Sequence, residues 1–489
     1  MAVGAKTAPA PAAGGKKKPV LFFTALPAEG HANPLIKVAQ GLVERGYEVV
    51  FHCNQEFEPR IRAIGAAFAD APPLFPNPEL FAEMLRIPLD RSMERLAFGI
   101  SKIFLASIPA RTDSVGAALA ALRARLDAEQ AAAGPGAERR QILVMSELCA
   151  MGVAPFKKGR APPKGFEEDG FPTVIGLSAI MLAVHSRDTA PYMLGLPFDN
   201  TESGRLRNDM LNRLLYGPGG MVHYLVEECH AKLVEAGANL DQVLPELSSF
   251  GNFWYLGPEV CLQMCLPAQE YPLSDLSDRI HFVGCLPRRA PQPHDTYPEW
   301  WGEILANAQL PRERRKKVIF VSQGTVAMDH SQLVLPTFAA FADRADDVLV
   351  VAALGARGAA LPPDAAAALP PNARVADYLP YDTMLHEGQA DIFVSNAGYG
   401  ALCHAVVNAV PLVLAGVTED KTEATLRATR AGYAVGLYTQ TPTAEQVRAG
   451  VETVLADGRY KARAEELMRE NEKMGCLDRI EGFVRKYTV

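Results

Sequence analysis

The sequence predicts an α/β protein of two similar units, each a parallel sheet wound on both faces by helices, facing one another across a cleft. Three observations lead there. Apolar runs of strand length alternate with segments of helical periodicity, the pattern of doubly wound sheets. That rhythm runs twice, interrupted by the stiff polar segment Pro287-Arg288-Arg289-Ala290-Pro291-Gln292-Pro293, which has the composition of a linker. The chain has 489 residues, more than one core of ordinary size can organise. The expected divisions are a disordered tail at 1–18, an N-terminal unit at 19–286, a linker at 287–296 and a C-terminal unit at 297–470. A closing helix at 471–489 is expected to pack back on the N-terminal unit.

The elements follow in order. Residues 20–25 form a continuous apolar run, as a strand buried on both faces requires. A loop over 27–34 precedes a helix in which Leu35, Val38, Ala39, Leu42 and Val43 recur at helical spacing, and Gly46 ends it. Residues 47–53 are the next strand, completing a βαβ unit. Residues 80–135 and 205–240 read as helical. Strands are expected at 141–146, 173–177, 260–266 and 280–283. After the linker, strands are expected at 317–322, 348–353, 373–376, 391–395 and 411–415, with helices at 331–345, after Gly400, at 444–456 and at 460–487.

Composition narrows the function. There are 49 Lys and Arg against 56 Asp and Glu, a net charge of -7, which excludes a general nucleic-acid binder. The eight cysteines are scattered with no C-x-x-C pair, so neither a zinc site nor a disulfide framework is expected, and a reducing cytoplasmic setting is the default. The apolar run after Lys16-Lys17-Lys18 leads into Pro27-Ala28-Glu29-Gly30-His31 rather than a cleavage site, so it reads as a strand, not a signal peptide. No apolar stretch is long enough to span a membrane. A monomer or weak dimer is expected.

Several strand ends carry chemistry. His31 lies just after the first strand, where a doubly wound sheet presents reactive groups, and an imidazole there can act as a general base. The alternative is a histidine that caps a helix. Glu147 closes the strand Ile142-Leu143-Val144-Met145-Ser146 and can orient an imidazole, or it is a surface acid. Asn396-Ala397-Gly398-Tyr399-Gly400 joins a strand to a helix with small residues, which lets backbone amides approach a phosphate; a plain tight turn is the other reading. Ser322-Gln323-Gly324-Thr325 is a second loop of that kind, and two in one unit suggest a diphosphate. Thr418-Glu419-Asp420-Lys421 offers acids that can grip sugar hydroxyls or simply begin a helix. The chain has no D-x-D, the usual carboxylate pair for a metal-bound nucleotide.

Taken together these segments resemble the family-one glycosyltransferases, the UDP-glycosyltransferase superfamily of GT-B fold, over most of the chain. Gly30-His31-Ala32-Asn33-Pro34 is similar to the family's Gly-His-x-x-Pro loop, which implies that His31 is the catalytic base. Glu147 stands where the family has its Asp partner. Phe320-Val321-Ser322-Gln323-Gly324-Thr325 resembles the phosphate loop, and Tyr378-Leu379-Pro380-Tyr381 falls at Trp-x-Pro-Gln, whose ring stacks on uracil. Asn396 replaces a His that touches the diphosphate, His404 replaces a ribose-binding Glu, and Asp420-Lys421 stands at the Asp-Gln that ends the donor motif.

The resemblance implies an inverting, metal-independent transfer of a hexose from a nucleotide diphosphate sugar, expected to be UDP-glucose, with no other cofactor. The donor would be held by Ser322, Gly324, Thr325, Tyr378, Tyr381, Asn396, Gly398, Gly400, His404, Glu419, Asp420 and Lys421. The acceptor, a small hydrophobic or phenolic alcohol, would meet Phe98, Phe104, Met181 and Tyr192 in the N-terminal unit. A binding-only protein of the same fold and a nucleotide-sugar epimerase are the alternatives.

Overall fold

The computed structural model describes residues 17–75, 77–88, 92–247, 251–289, 295–324, 327–386 and 389–489. The expected tail therefore lies almost wholly outside the described residues, as does part of the linker. Two parallel sheets are present. The first is built from β1 (Val20–Thr24), β2 (Glu48–Cys53), β3 (Ala67–Asp70), β4 (Ile142–Glu147), β5 (Val174–Ser178), β6 (Val260–Gln263) and β7 (Ile280–Phe282), in the order β3-β2-β1-β4-β5-β6-β7. The second uses β8 (Lys317–Ser322), β9 (Val348–Ala353), β10 (Ala373–Ala376), β11 (Ile392–Ser395), β12 (Leu412–Leu414) and β13 (Ala434–Gly436), in the order β10-β9-β8-β11-β12-β13.

Side chains alternate across each strand, so the buried run of β1 feeds two cores. Leu21 and Phe23 join Leu35, Val38 and Leu42 of the following helix on one face, together with Cys476, Ile480 and Val484 from the last helix. Val20 and Phe22 join Val115, Leu119 and Leu126 on the other. A third buried cluster runs through both units, from Leu148 and Met181 to Phe320, Phe393 and Leu402. The units thus share apolar core.

The order of each sheet reverses once, between β1 and β4 and between β8 and β11, and ligands bind at such switch points beyond the carboxyl ends of the strands. The register makes this specific. Thr24 is level with Ser146, and Ser322 with Ser395. Residues just after β1 and at the end of β4 therefore meet, as do the loops after β8 and β11.

Several expected boundaries move. The first helix is Glu29–Glu44, so most of the segment read as loop is its first turn and a half, and Pro34 lies inside it. The proline N–H that is missing would have bonded to the carbonyl of Gly30, one turn earlier. The helical stretch near 80–135 is three α-helices with a π-helical turn, Ile100–Leu105. That near 205–240 divides at Gly217-Pro218-Gly219-Gly220 into Glu202–Tyr216 and His223–Glu235. The helix expected at 331–345 shrinks to Val334–Ala340, and the last one breaks at Gly475. Strands β3 and β13 were not foreseen: β3 is a half-exposed edge strand and β13 has three residues, so neither carries a buried apolar run. Among the described residues no helix is long and apolar enough to cross a membrane.

Candidate functional site

His31 occupies the third position of helix Glu29–Glu44, not a loop, and its imidazole leans toward the end of β4. Its Nδ1–H donates to Oε1 of Glu147 at 3.1 Å. The imidazole is one-fifth exposed and the carboxylate fully buried. Oε1 also accepts the backbone N–H of Cys149 at 3.1 Å, while Oε2 is buried with no hydrogen-bond partner. With Nδ1 holding the proton, the lone pair lies on Nε2.

Burial lowers the affinity of this imidazole for a proton. The charge and hydrogen bond of Glu147 and the charge of Asp420 outweigh burial, so the pKa stands above the ordinary value of 6.5. Asp420 comes from the other unit, at the head of helix Lys421–Ala431, and its carboxylate does not cap that helix. Burial raises the pKa of Asp420, with Glu419 adding to the rise and Lys421 and His31 opposing it. The two halves of the cleft are therefore coupled electrostatically through His31 and Asp420.

His31, Glu147 and Cys149 each place one potential metal-ligand atom within 4.8 Å of the others. Binding an ion there would require breaking the Nδ1–Oε1 bond and deprotonating Cys149, whose thiol burial pushes well above its usual pKa. The arrangement is better matched to an acid–imidazole pair than to a ligand set.

On the second sheet, helix Tyr399–Val407 begins at Gly398 with open space above Gly400 and only the Asn396 amide oxygen beside Gly398. Its first amides have no carbonyl of their own helix to bond and carry the positive end of the dipole. Asn396 is buried, and its carbonyl faces Gly416, whose φ is +99°. A Cβ at 416 would stand 2.7 Å from that carbonyl oxygen and 2.9 Å from Lys421 Cδ. Gly416→Ala is expected to cost about 1–3 kcal/mol through backbone strain and collision, read as a lower melting temperature; an unchanged melting temperature would show that the loop yields freely.

Other expected donor residues divide. Tyr378 is 39% exposed at the rim, with the Arg357 guanidinium 4.9 Å from its ring. Tyr381 instead packs edge-on against Phe320 and Phe393, and its hydroxyl donates to Ser322 Oγ at 3.1 Å. Ser322 Oγ in turn donates to the Ala353 carbonyl at 3.0 Å and has no exposed surface. Ser322 is thus engaged inside the protein with no surface to offer a donor, which corrects the expectation for that residue, whereas Tyr381 is half-buried with its hydroxyl committed to Ser322. Lys421 is also turned inward: its ammonium bonds Thr418 Oγ1 at 2.6 Å and pairs with Glu419. Gly324 lies two residues past the end of β8 with open space around it, and Thr325 lies outside the described residues. His404 Nδ1–H donates to the buried Asp382 at 2.7 Å and leaves Nε2 outward.

The expected acceptor residues divide too. Tyr192 is buried, with its ring 5.9 Å from the Arg427 guanidinium, and burial together with the Asp420 charge pushes its hydroxyl well above the ordinary pKa. Phe104 meets Trp254 edge-on at 6.4 Å. Met181 is wholly core, with 0% exposure, so its assignment as an acceptor contact is corrected. Phe98 lines a separate open groove of about 680 Å³, with Arg86, Lys102 and Tyr224.

Further residues shape the site. Arg111, buried on helix Ile108–Ala133, sets its positive charge near Glu147. Asp382 gathers His404, Asn408 and the Arg289 amide, with Lys37 of the His31 helix 3.8 Å away. Tyr399 accepts from Gln263 of β6 at 3.1 Å, tying helix Tyr399–Val407 to the opposite sheet. Arg111, Asp382, Lys37 and Gln263 sit in no motif, and only three-dimensional neighbours reveal them; Tyr399 lies within the Asn396–Gly400 segment, but its tie to β6 is not visible there.

Residues 337–478 match the family described as Erythromycin biosynthesis protein CIII-like, C-terminal domain. The chain is 35% identical to UDP-glucosyltransferase 1 of Beauveria bassiana (strain ARSEF 2860), over 95% of this chain and 94% of that one. It is 30% identical to UDP-glucosyltransferase A1 of Starmerella bombicola, over 96% and 92% of the two chains. The crystal structure of the kitacinnamycin glycotransferase superposes with a TM-score of 0.66 at 18% identity, covering 97% of this chain and 100% of that one. Neither a binding-only protein nor an epimerase is among these relatives.

Proposed function

Because the chain belongs to the UDP-glycosyltransferase superfamily and is a glycosyltransferase of GT-B fold, we propose that it transfers glucose from UDP-glucose to a hydroxyl of a small hydrophobic or phenolic acceptor, with inversion and without a metal ion. The observation that carries this reading is the His31–Glu147 pair facing Asp420 across the cleft. UDP-glucose as donor is supported by the names of the two relatives at 30–35% identity.

In this reading the acceptor hydroxyl gives its proton to His31 Nε2 as its oxygen attacks the anomeric carbon. Glu147 holds the ring in the tautomer that leaves Nε2 free and stabilises the imidazolium that forms. Charge grows on the departing diphosphate, where the first amides of helix Tyr399–Val407 supply fixed positive dipoles. Those amides, rather than a cation held by paired carboxylates, make a metal unnecessary. Asp420, uncommitted as a cap and facing His31, accepts from sugar hydroxyls.

The test is product analysis with several nucleotide sugars and a panel of phenols and aliphatic alcohols. UDP release with acceptor mass raised by one hexose, inverted anomeric configuration, and activity that survives EDTA are expected. A retained configuration or loss of activity in EDTA overturns the corresponding part, and UDP binding with no glycoside from any pair overturns the whole.

A further inference from the structure

Helix Lys421–Ala431, which Asp420 heads, reaches into the N-terminal unit through two charged side chains one turn apart. Arg427 is buried between two carboxylates: its Nε donates to Glu270 at 2.6 Å and its Nη1 to Glu423 at 2.7 Å. Its guanidinium lies 4.4 Å from the ring of Tyr271 and 5.9 Å from that of Tyr192. Burial works against its charge, but the two carboxylates outweigh burial and hold it protonated.

Apart from a bond from Arg427 Nη1 to the Glu423 carbonyl of its own helix at 3.2 Å, the other hydrogen bonds of this cluster go to one segment. Glu423 Oε1 accepts the backbone N–H groups of Met193 at 3.1 Å and Gly195 at 3.0 Å. Glu270 Oε1 accepts the N–H of Leu182 at 2.9 Å, and Arg427 Nη2 donates to the Leu182 carbonyl at 3.3 Å. The segment 182–195 is thus pinned at both ends, and Tyr192 lies beside the second pin. Met193 has a φ of +79°, a conformation a side chain adopts only where its surroundings impose it. Gly195 lies so close to the donor-side helix that a Cβ would stand 2.6 Å from Thr422 Cγ2.

We propose that Glu423 and Arg427 are positioning residues for the acceptor: from the helix that begins at Asp420, they fix the 182–195 segment of the opposite unit so that Tyr192 faces the reaction centre. The acceptor wall is then shaped by the donor unit, and donor acid and acceptor wall keep their spacing as one piece. A purely stabilising role would not need the cluster's oxygens on loop amides, since a buried ion pair contributes little net stability. The proposal rests on the reading that transfer takes place in this cleft.

The test compares Glu423→Ala, Glu423→Gln and Gly195→Val with wild type in transfer kinetics, UDP affinity by calorimetry, and melting temperature. Gly195→Val pushes the segment off the helix without touching a buried charge, and it decides the matter if Glu423→Ala does not fold. Misplacing a substrate wall by about 1 Å can cost up to about a hundredfold. The expected result is at least about a tenfold rise in acceptor KM or fall in kcat/KM for Gly195→Val and Glu423→Ala. Glu423→Gln, which keeps a carbonyl for the two amides, should fall between them and wild type, and UDP affinity should stay within about twofold. Acceptor kinetics unchanged in a variant that melts like wild type overturn the proposal. So does a loss of UDP affinity equal to the loss in acceptor kinetics. If wild type forms no glycoside while binding UDP, the proposed function fails first, through the control rather than the variants, and the positioning role falls with it.

Discussion

Replacing His31 with Ala is expected to lower kcat for transfer by about 10²–10⁴-fold, the range that a positioned general base supplies, while UDP affinity stays unchanged. The expectation follows from placement. His31 is carried by the first sheet, with its Nδ1 held by Glu147, whereas helix Tyr399–Val407, whose first amides are proposed to hold the diphosphate, belongs to the second sheet. Deleting the imidazole removes the proton acceptor and leaves the amides at Gly398 and Gly400 intact. The same geometry sets the pH dependence. The base acts only when neutral, so kcat/KM rises with pH through the His31 pKa. Burial alone would bring that midpoint below 6.5, but Glu147 and Asp420 carry it above. The wild-type profile should therefore climb through a midpoint above 6.5, and the residual rate of His31→Ala should lack that rise. A normal rate in the variant, or a midpoint below the ordinary imidazole value, would remove His31 from the role of base.

Much of this arrangement was legible in the sequence, for a physical reason. Buried parallel strands announce themselves as apolar runs, and β8, β9 and β11 fall where those runs lie. Polar residues directly after such runs mark strand ends, which is how His31, Glu147 and Asp420 became candidates. Illegible were features fixed by contact between distant segments. Tyr381 looks like any aromatic beside a proline, and only the packing of Phe320 and Phe393 turns it inward. Lys421 looks like a free cation until the backbone at Glu419, with φ +48°, folds the acid onto it. Glu423 and Arg427 did carry a signal, an acid and a base four apart on a helix, but that spacing is usually a surface pair. Nothing local says that this one meets Glu270, more than a hundred and fifty residues earlier.

Glu147 is the position where restoring the family's aspartate is expected to harm the protein. The carboxylate reaches His31 Nδ1 at 3.1 Å from the last residue of β4, and the same oxygen holds the Cys149 amide. Glu147→Asp withdraws the carboxylate by about one C–C bond, 1.5 Å, which takes both contacts beyond hydrogen-bond range unless the strand moves. Glu147→Gln keeps the length and a carbonyl oxygen for both donors but removes the charge. It also places an amide N–H₂ where the unpartnered, buried Oε2 now lies, at the desolvation cost of an unsatisfied donor. The Gln variant is expected to lose about 10²–10⁴-fold in kcat, as neutralising the acid of an acid–imidazole pair does. Its pH midpoint should fall below that of wild type, because both contributions of Glu147 that raise the His31 pKa are gone and the opposing effect of burial remains. The Asp variant should lose less, since the negative charge stays near and Arg111 still stands behind it, and its midpoint should lie between the other two. If Glu147→Asp is as fast as wild type, the hydrogen bond is not what orients the imidazole. If Glu147→Gln keeps the wild-type midpoint, the charge of Glu147 does not act on His31, and the base must be set by Asp420 alone.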